Sequence, residues 1–288
     1  MIPMFKHFLI THFNLLNFPL GIDGNEEWLN WTRKRIQVFK TYCLPSLTNQ
    51  TIKDFTWLIY FDINTPAEFN YLIDELKEYN FIKPCFANGF DGFMENYMNE
   101  IKVMAGDTKW IITSRIDNDD CFHKDAMRII QEYFIPSDEH LISLASGYTF
   151  DVHHKTLSHY YYPMSPFISI IESMNKKNLK GIWYIAHSRW EELNFSVRKE
   201  IFRKNKKSTF VLHNPYWLQI LHGENIANSV RGLPVLRQKD LTNFGVPIIS
   251  KGQSLLNVFA YYDYVIWKRY FKTLIVRLFI NHLSNKKP

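Results

Sequence analysis

Three carboxylates stand within four residues in Arg115-Ile116-Asp117-Asn118-Asp119-Asp120. Gathered without a counter-charge they would repel one another, so they need open solvent or a cation among them. Mg2+ and Mn2+ are hard ions that take oxygen ligands, commonly one or two carboxylates together with substrate phosphates. The Asp-x-Asp spacing of Asp117 and Asp119 lets one carboxylate hold the ion and the other hold a metal-bound water or a ribose. Such an ion bridges a diphosphate and stabilises charge on a departing nucleotide. Arg115 could orient the aspartates by bidentate pairing. A solvated acidic turn, or a cap on the helix that follows, would use the same residues, so their position in the fold has to decide.

The elements around the motif alternate. Strands are predicted over 6–13, 55–61, 82–87, 109–114 and 141–146, and helices over 27–46, 67–78, 92–106 and 124–134. On the first helix Trp28, Trp31, Arg35, Val38, Phe39 and Tyr42 recur at helical spacing, with Pro45 near its end. This order predicts an α/β fold, a mostly parallel sheet flanked by helices. Ligands of such sheets bind outside the carboxyl ends of the strands, and both Asp62 and Asp117–Asp120 fall there. Beyond Ser146 the pattern weakens, although 181–186 reads as a strand, 217–221 as buried and 223–234 as loop.

Composition narrows the class. The chain has 288 residues, 46% hydrophobic and 22% charged, which suits a folded protein rather than a disordered one. Cys43, Cys85 and Cys121 are far apart and odd in number, so neither a zinc knuckle nor a disulfide framework is expected. The apolar stretch 8–16 is broken by Thr11, His12 and Asn14 and does not read as a signal peptide. No apolar run reaches the roughly 18 residues of a membrane span. A cytoplasmic setting is therefore expected. Residues 251–288 hold seven Lys or Arg and one acid, Asp263, which accounts for the whole net charge of +6. Within that tail, 255–280 reads as an amphipathic helix with a basic edge, able to lie on an anionic membrane or to pack on the core.

Four segments resemble a known family. They are T-H-F-N (Thr11–Asn14), C-L-P-S-L-T-N-Q-T-I-K-D-F-T-W-L-I-Y-F-D (Cys43–Asp62), S-R-I-D-N-D-D (Ser114–Asp120) and W-L-Q-I-L-H-G-E-N-I-A-N-S-V-R-G (Trp217–Gly232). The chain is similar to the rhamnosyltransferases, within the glycosyltransferases of nucleotide-binding GT-A fold. The resemblance implies Mn2+ or Mg2+ held by Asp117, Asp119 and His222, and a donor nucleotide contacted by Asp62, Arg115 and Asp117. Asp62 would accept a hydrogen bond from the imide of a uracil or thymine. His12 stands where the family leads one to expect an arginine. An inverting transferase of this kind needs a carboxylate base for the acceptor hydroxyl, and Glu191, Glu192 and Asp151 are the candidates.

The expected partners are a nucleotide-diphosphate sugar, a polysaccharide or lipid-linked acceptor, and a membrane surface met by the tail; nucleic acid is not expected. The expected organisation is a catalytic domain over 1–250, its nucleotide half ending near 146 and its acceptor half following, with a helical tail over 251–288. Two alternatives stay open. A nucleotidyltransferase would need a Gly-rich basic loop after the first strand, where Asn14-Leu15-Leu16-Asn17 stands. A carbohydrate-binding protein would not need Asp62 and the acidic motif together.

Overall fold

The apolar runs F-K-H-F-L-I-T-H and T-W-L-I-Y-F-D are nearly continuous, as strands covered on both faces must be. In the computed structural model of the chain they are the centre of a seven-stranded sheet. The structure describes residues 4–17, 26–163, 165–184, 208–223 and 231–254.

In chain order the elements begin with β1 (Phe5–His12), α1 (Glu26–Val38), α2 (Leu44–Thr48), β2 (Thr56–Asp62), α3 (Asn70–Lys77), β3 (Ile82–Ala87), α4 (Gly89–Ala105) and β4 (Trp110–Arg115). Then come β5 (Cys121–Phe122), α5 (Ala126–Glu132), β6 (His140–Leu144), β7 (Ser146–Asp151), β8 (Thr156–Tyr161) and β9 (Ile168–Ser173). The last are β10 (Ser208–Val211), β11 (Trp217–Leu221), β12 (Leu233–Pro234), β13 (Lys239–Asp240) and β14 (Ile249–Ser250).

The large sheet has the order β10-β6-β9-β4-β1-β2-β3. Only β9 runs against its neighbours β4 and β6; every other pairing is parallel. Along β2 the side chains alternate between two cores. Trp57, Ile59 and Phe61 join Phe13, Phe39, Ile112 and Met127 on one face. Leu58 and Tyr60 join Phe8, Ile10, Phe93 and Tyr97 on the other. The expected parallel sheet flanked by helices is thus what the chain forms. Its middle is crossed by a polar rung, in which His7 Nε2 lies 2.7 Å from Ser114 Oγ and that hydroxyl lies 2.5 Å from Ser169 Oγ. Burial pushes the His7 imidazole down to about 3, so it is neutral there.

Several elements differ from expectation for local reasons. The helix expected to end at Ser46 runs on to Thr48, through one wide π turn at Phe39–Cys43. Pro45 has no N–H for the usual bond and its ring crowds the preceding turn, which such a turn relieves. Helix α4 starts at Gly89, three residues before its expected start. Its Gly89 sits at φ +66°, a conformation in which glycine meets no steric cost. The strand expected over 181–186 is a turn across 181–184, where Glu172 accepts the N–H groups of Lys180 and Gly181, both at 2.8 Å. Residues 185–186 lie outside the described residues. The strand that fills the sheet there is β9, whose run Ile168-Ser-Ile-Ile171 is buried throughout.

The weakly patterned stretch after Ser146 builds a second, five-stranded sheet of order β12-β8-β7-β11-β5. A Cβ at Gly147 would come within 2.0 Å of the Trp217 ring, so β7 can pass β11 this closely only because that position has no side chain. Trp217 is buried, stacked on Phe167, and donates its Nε1–H to the Leu144 carbonyl at 2.6 Å. Among the described residues no helix is long and apolar enough to cross a membrane. The tail 255–288 lies outside them.

Candidate functional site

Parallel strands deliver their carboxyl ends to one edge. Ile10 of β1 pairs with Arg115 of β4, and His12 pairs with Tyr60 of β2, two residues before Asp62. The acidic motif leaves β4 at that edge and turns into β5, with the Asp120 N–H bonded to the Asp117 carbonyl at 3.2 Å. Strand β5 then pairs antiparallel with β11, Cys121 against Leu218. Carried two residues further, the same register sets Ile220 opposite Asp119. This is how His222, about a hundred residues away in sequence, comes to the motif.

The three carboxylates have different surroundings. Asp120 is buried and its Oδ1 accepts the Ile220 N–H at 3.2 Å. Burial first, then the negative charges of Asp119 and Asp117, push its carboxyl well above the usual range. It ties the motif to the strand that carries His222, a positioning role. Asp119 Oδ2 lies 2.5 Å from Arg35 Nη1 and 3.1 Å from His222 Nε2. Asp117 is the open one, its side chain 36% exposed, with Oδ1 2.9 Å from Arg115 Nη2.

Arg115 is itself buried, with its guanidinium carbon 3.8 Å from the centre of the Trp183 ring, a cation–π seat worth about 1–2 kcal/mol when desolvated. Among the described residues its Nε meets no hydrogen-bond acceptor. The His12 ring packs edge-on against Trp183, centroids 4.6 Å apart. Burial lowers the His12 imidazole to about 4, against the opposing pull of Asp117. Asn118 donates from Nδ2 to the Phe13 carbonyl at 2.8 Å, fixing the motif to the end of β1.

Of the three residues expected to hold an ion, two are brought together. Asp119 and His222 meet side chain to side chain. Asp117 turns toward Arg115 instead. Among the described residues no three His, Cys, Asp or Glu side chains are gathered as around a metal. The oxygen and imidazole donors at Asp119 and His222 are of a type that Mn2+ accepts. A substrate diphosphate and water would have to supply further ligands.

Asp62 is fully buried. Its Oδ2 accepts the N–H groups of Leu16 at 3.1 Å and Gly89 at 3.0 Å, and its Oδ1 accepts the Asn64 N–H at 2.9 Å and Nδ2 at 3.0 Å. These four bonds use the lone pairs that a nucleobase imide would need. Asp62 here fastens three chain segments around the carboxyl end of β2. Asp151 is likewise engaged: its Oδ1 accepts the His153 and His154 N–H groups at 2.9 and 3.0 Å, and its Oδ2 lies 2.8 Å from His154 Nδ1. Burial alone would raise its carboxyl, but the His154 and His153 bonds outweigh it and hold the group below the usual range. That is unfavourable for a general base. Asp151 pairs with Leu221 and so ends its strand beside His222. Glu191 and Glu192 lie outside the described residues.

Sequence reading missed Arg35, Trp183, Asn118 and the tying role of Asp120. Arg35 did leave a signal, since an arginine on the apolar stripe of a helix must find a buried acid. Trp183 and Asn118 left none.

No curated protein matches the chain. The solved structure of S. aureus TarS 1–349 in complex with UDP is similar over 75% of this chain and 60% of that one, with 11% identity and a TM-score of 0.43. This chain thus spans three fifths of that structure. HddC from Yersinia pseudotuberculosis is similar over 74% of this chain and 93% of its own, with 13% identity and a TM-score of 0.35. The family described as "Putative rhamnosyl transferase" matches residues 26–232, well over half of the sequence. That span holds Arg35, Asp62, the acidic motif and His222, while T-H-F-N at Thr11–Asn14 lies before it. A match of this length shows the family, and the chain belongs to it.

Proposed function

We propose that the protein transfers a sugar, rhamnose by its family, from a nucleoside-diphosphate donor to a polysaccharide or glycolipid acceptor. The observation that carries this reading is the meeting of Asp119 and His222 at the carboxyl edge of a parallel sheet, with two arginines beside them. That edge is where such sheets bind nucleotides. Asp119 and His222, with Asp117 nearby, would hold Mn2+ or Mg2+ together with the diphosphate of the donor. When bound, the ion would neutralise charge on the departing nucleotide.

The remaining work belongs to the side chains. Arg115, held rigid on Trp183, orients Asp117 and offers a fixed positive charge to the phosphates. Asp62 keeps the segments of Leu16, Asn64 and Gly89 in place as the walls of the base pocket. The acceptor hydroxyl needs a carboxylate to take its proton if configuration inverts. Glu191 or Glu192 fills that role better than Asp151, whose lone pairs serve its own turn. A peripheral hold on the inner membrane face through the basic tail would bring a lipid-linked acceptor within reach.

A donor screen tests the reading: UDP-, dTDP- and GDP-sugars with Mn2+ or Mg2+, following release of the nucleoside diphosphate. One nucleotide should stand out, and release should stop with EDTA. Release undiminished by EDTA removes the ion from the proposal. Formation of pyrophosphate from a nucleoside triphosphate and a sugar phosphate, with no release from any sugar nucleotide, would make the protein a nucleotidyltransferase.

A further inference from the structure

Arg35 is the cation most closely applied to the acidic motif, and the site described so far gives it no task. Its side chain is only 11% exposed, on the helix face that also buries Trp28, Thr32 and Ile36. The Trp31 ring, one turn earlier on α1, lies 4.9 Å from its guanidinium carbon. Among the described residues the side chain is thus aimed from α1 at one acidic partner. That target is Asp119 Oδ2, the oxygen that also faces His222 Nε2.

A guanidinium this close to the oxygen occupies the place where a cation would be most stabilised. A divalent ion on the same oxygen would bring two positive charges within a few ångströms of each other in a poorly solvated pocket, which is costly unless an anion enters with it. A diphosphate is such an anion, and the planar fork of an arginine suits its paired oxygens.

We propose that Arg35 keeps the ion seat of Asp119 filled while the donor is absent, and moves its charge to the donor's diphosphate when ion and donor bind. Arg35 is then a donor-binding residue that makes ion binding and nucleotide binding depend on each other. The proposal rests on the reading that Asp119 and His222 carry the ion.

The test measures Mn2+ affinity of the full chain from the electron-spin-resonance signal of free Mn2+, with and without UDP, dTDP or GDP. The wild type should bind Mn2+ weakly alone and about tenfold or more tightly with the matching nucleotide, a coupling of ordinary size between two ligands. Arg35→Gln should bind Mn2+ alone more tightly and lose most of that enhancement. Arg35→Lys, which keeps the charge but not the fork, should retain part of it; circular dichroism confirms that both variants fold. Should Arg35→Gln fail to fold, an unchanged enhancement in Arg35→Lys overturns the proposal. A folded Arg35→Gln with wild-type enhancement, or with no gain in affinity for Mn2+ alone, overturns it while leaving the ion site standing. A wild type that takes up no Mn2+ with any nucleotide overturns the ion reading and this proposal together.

Discussion

At the scale of single residues, three aspartates in one short motif divide into three tasks because their surroundings differ. Asp120 is dry and hydrogen-bonded to β11, Asp119 is shared between an arginine and a histidine, and the more open Asp117 pairs with Arg115. Asp119→Asn preserves shape and one acceptor oxygen but removes the charge that Arg35 and an ion both require. Its transfer rate should fall by about a thousandfold or more, the order seen when an electrostatic partner of a transition state is lost. The melting temperature should shift by no more than a few degrees, measured in the same preparation. Transfer above a tenth of the wild-type rate would take Asp119 out of the site. The motif's acids were legible in the sequence; their division of labour was not, because burial and hydrogen-bond partners come from elements far along the chain.

At the scale of elements, the site depends on joints between strands and loops. Asp62 joins the segments of Leu16, Asn64 and Gly89 at the end of β2. Asp62→Ala leaves buried N–H groups without acceptors, so unfolding in urea should show a loss of about 2–4 kcal/mol. A loss under about 0.5 kcal/mol would mean that those segments hold themselves. A residue that only contacted a nucleobase would give that small value.

The His7 rung joins β1, β4 and β9. Its folded-state value of about 3 lies below the unfolded value of 6.5. The unfolded chain therefore binds the proton first, and stability is lost as pH falls below 6.5, down to about 3, at about 1.4 kcal/mol per unit. Between pH 7 and pH 5 the wild type should lose about 2 kcal/mol more than His7→Asn. Equal losses in urea titrations of the two proteins would show that His7 takes up its proton while folded.

At the scale of the molecule, charge is distributed unevenly. Residues 251–288 carry the formal +6 of the whole chain, so the remaining 250 residues balance to zero. The proposed hold of this basic tail on an anionic surface, to which each basic group would contribute about 1 kcal/mol, has a direct test. Deleting residues 255–288 should release the protein from vesicles containing a third phosphatidylglycerol, in a flotation assay at low salt. If the intact protein does not float with them either, the tail has no membrane role.

The alternating strands and helices up to Ser146 were legible in the residues alone, and with them the mostly parallel sheet and the edge at which Asp62 and the acidic motif stand. Those follow from local periodicity and from the rule that ligands meet such sheets at their carboxyl ends. Which side chains meet at that edge depends on contacts between distant segments. The pairing of β5 with β11 brings His222 to Asp119, and the direction of α1 brings Arg35 to the same oxygen. The insertion of β9 against its neighbours depends on such contacts too, as does the second sheet beyond Ser146, built on the close passage of Gly147 over Trp217. Partners a hundred residues apart leave no periodic trace in either segment, because what joins them is register and burial rather than local conformational preference.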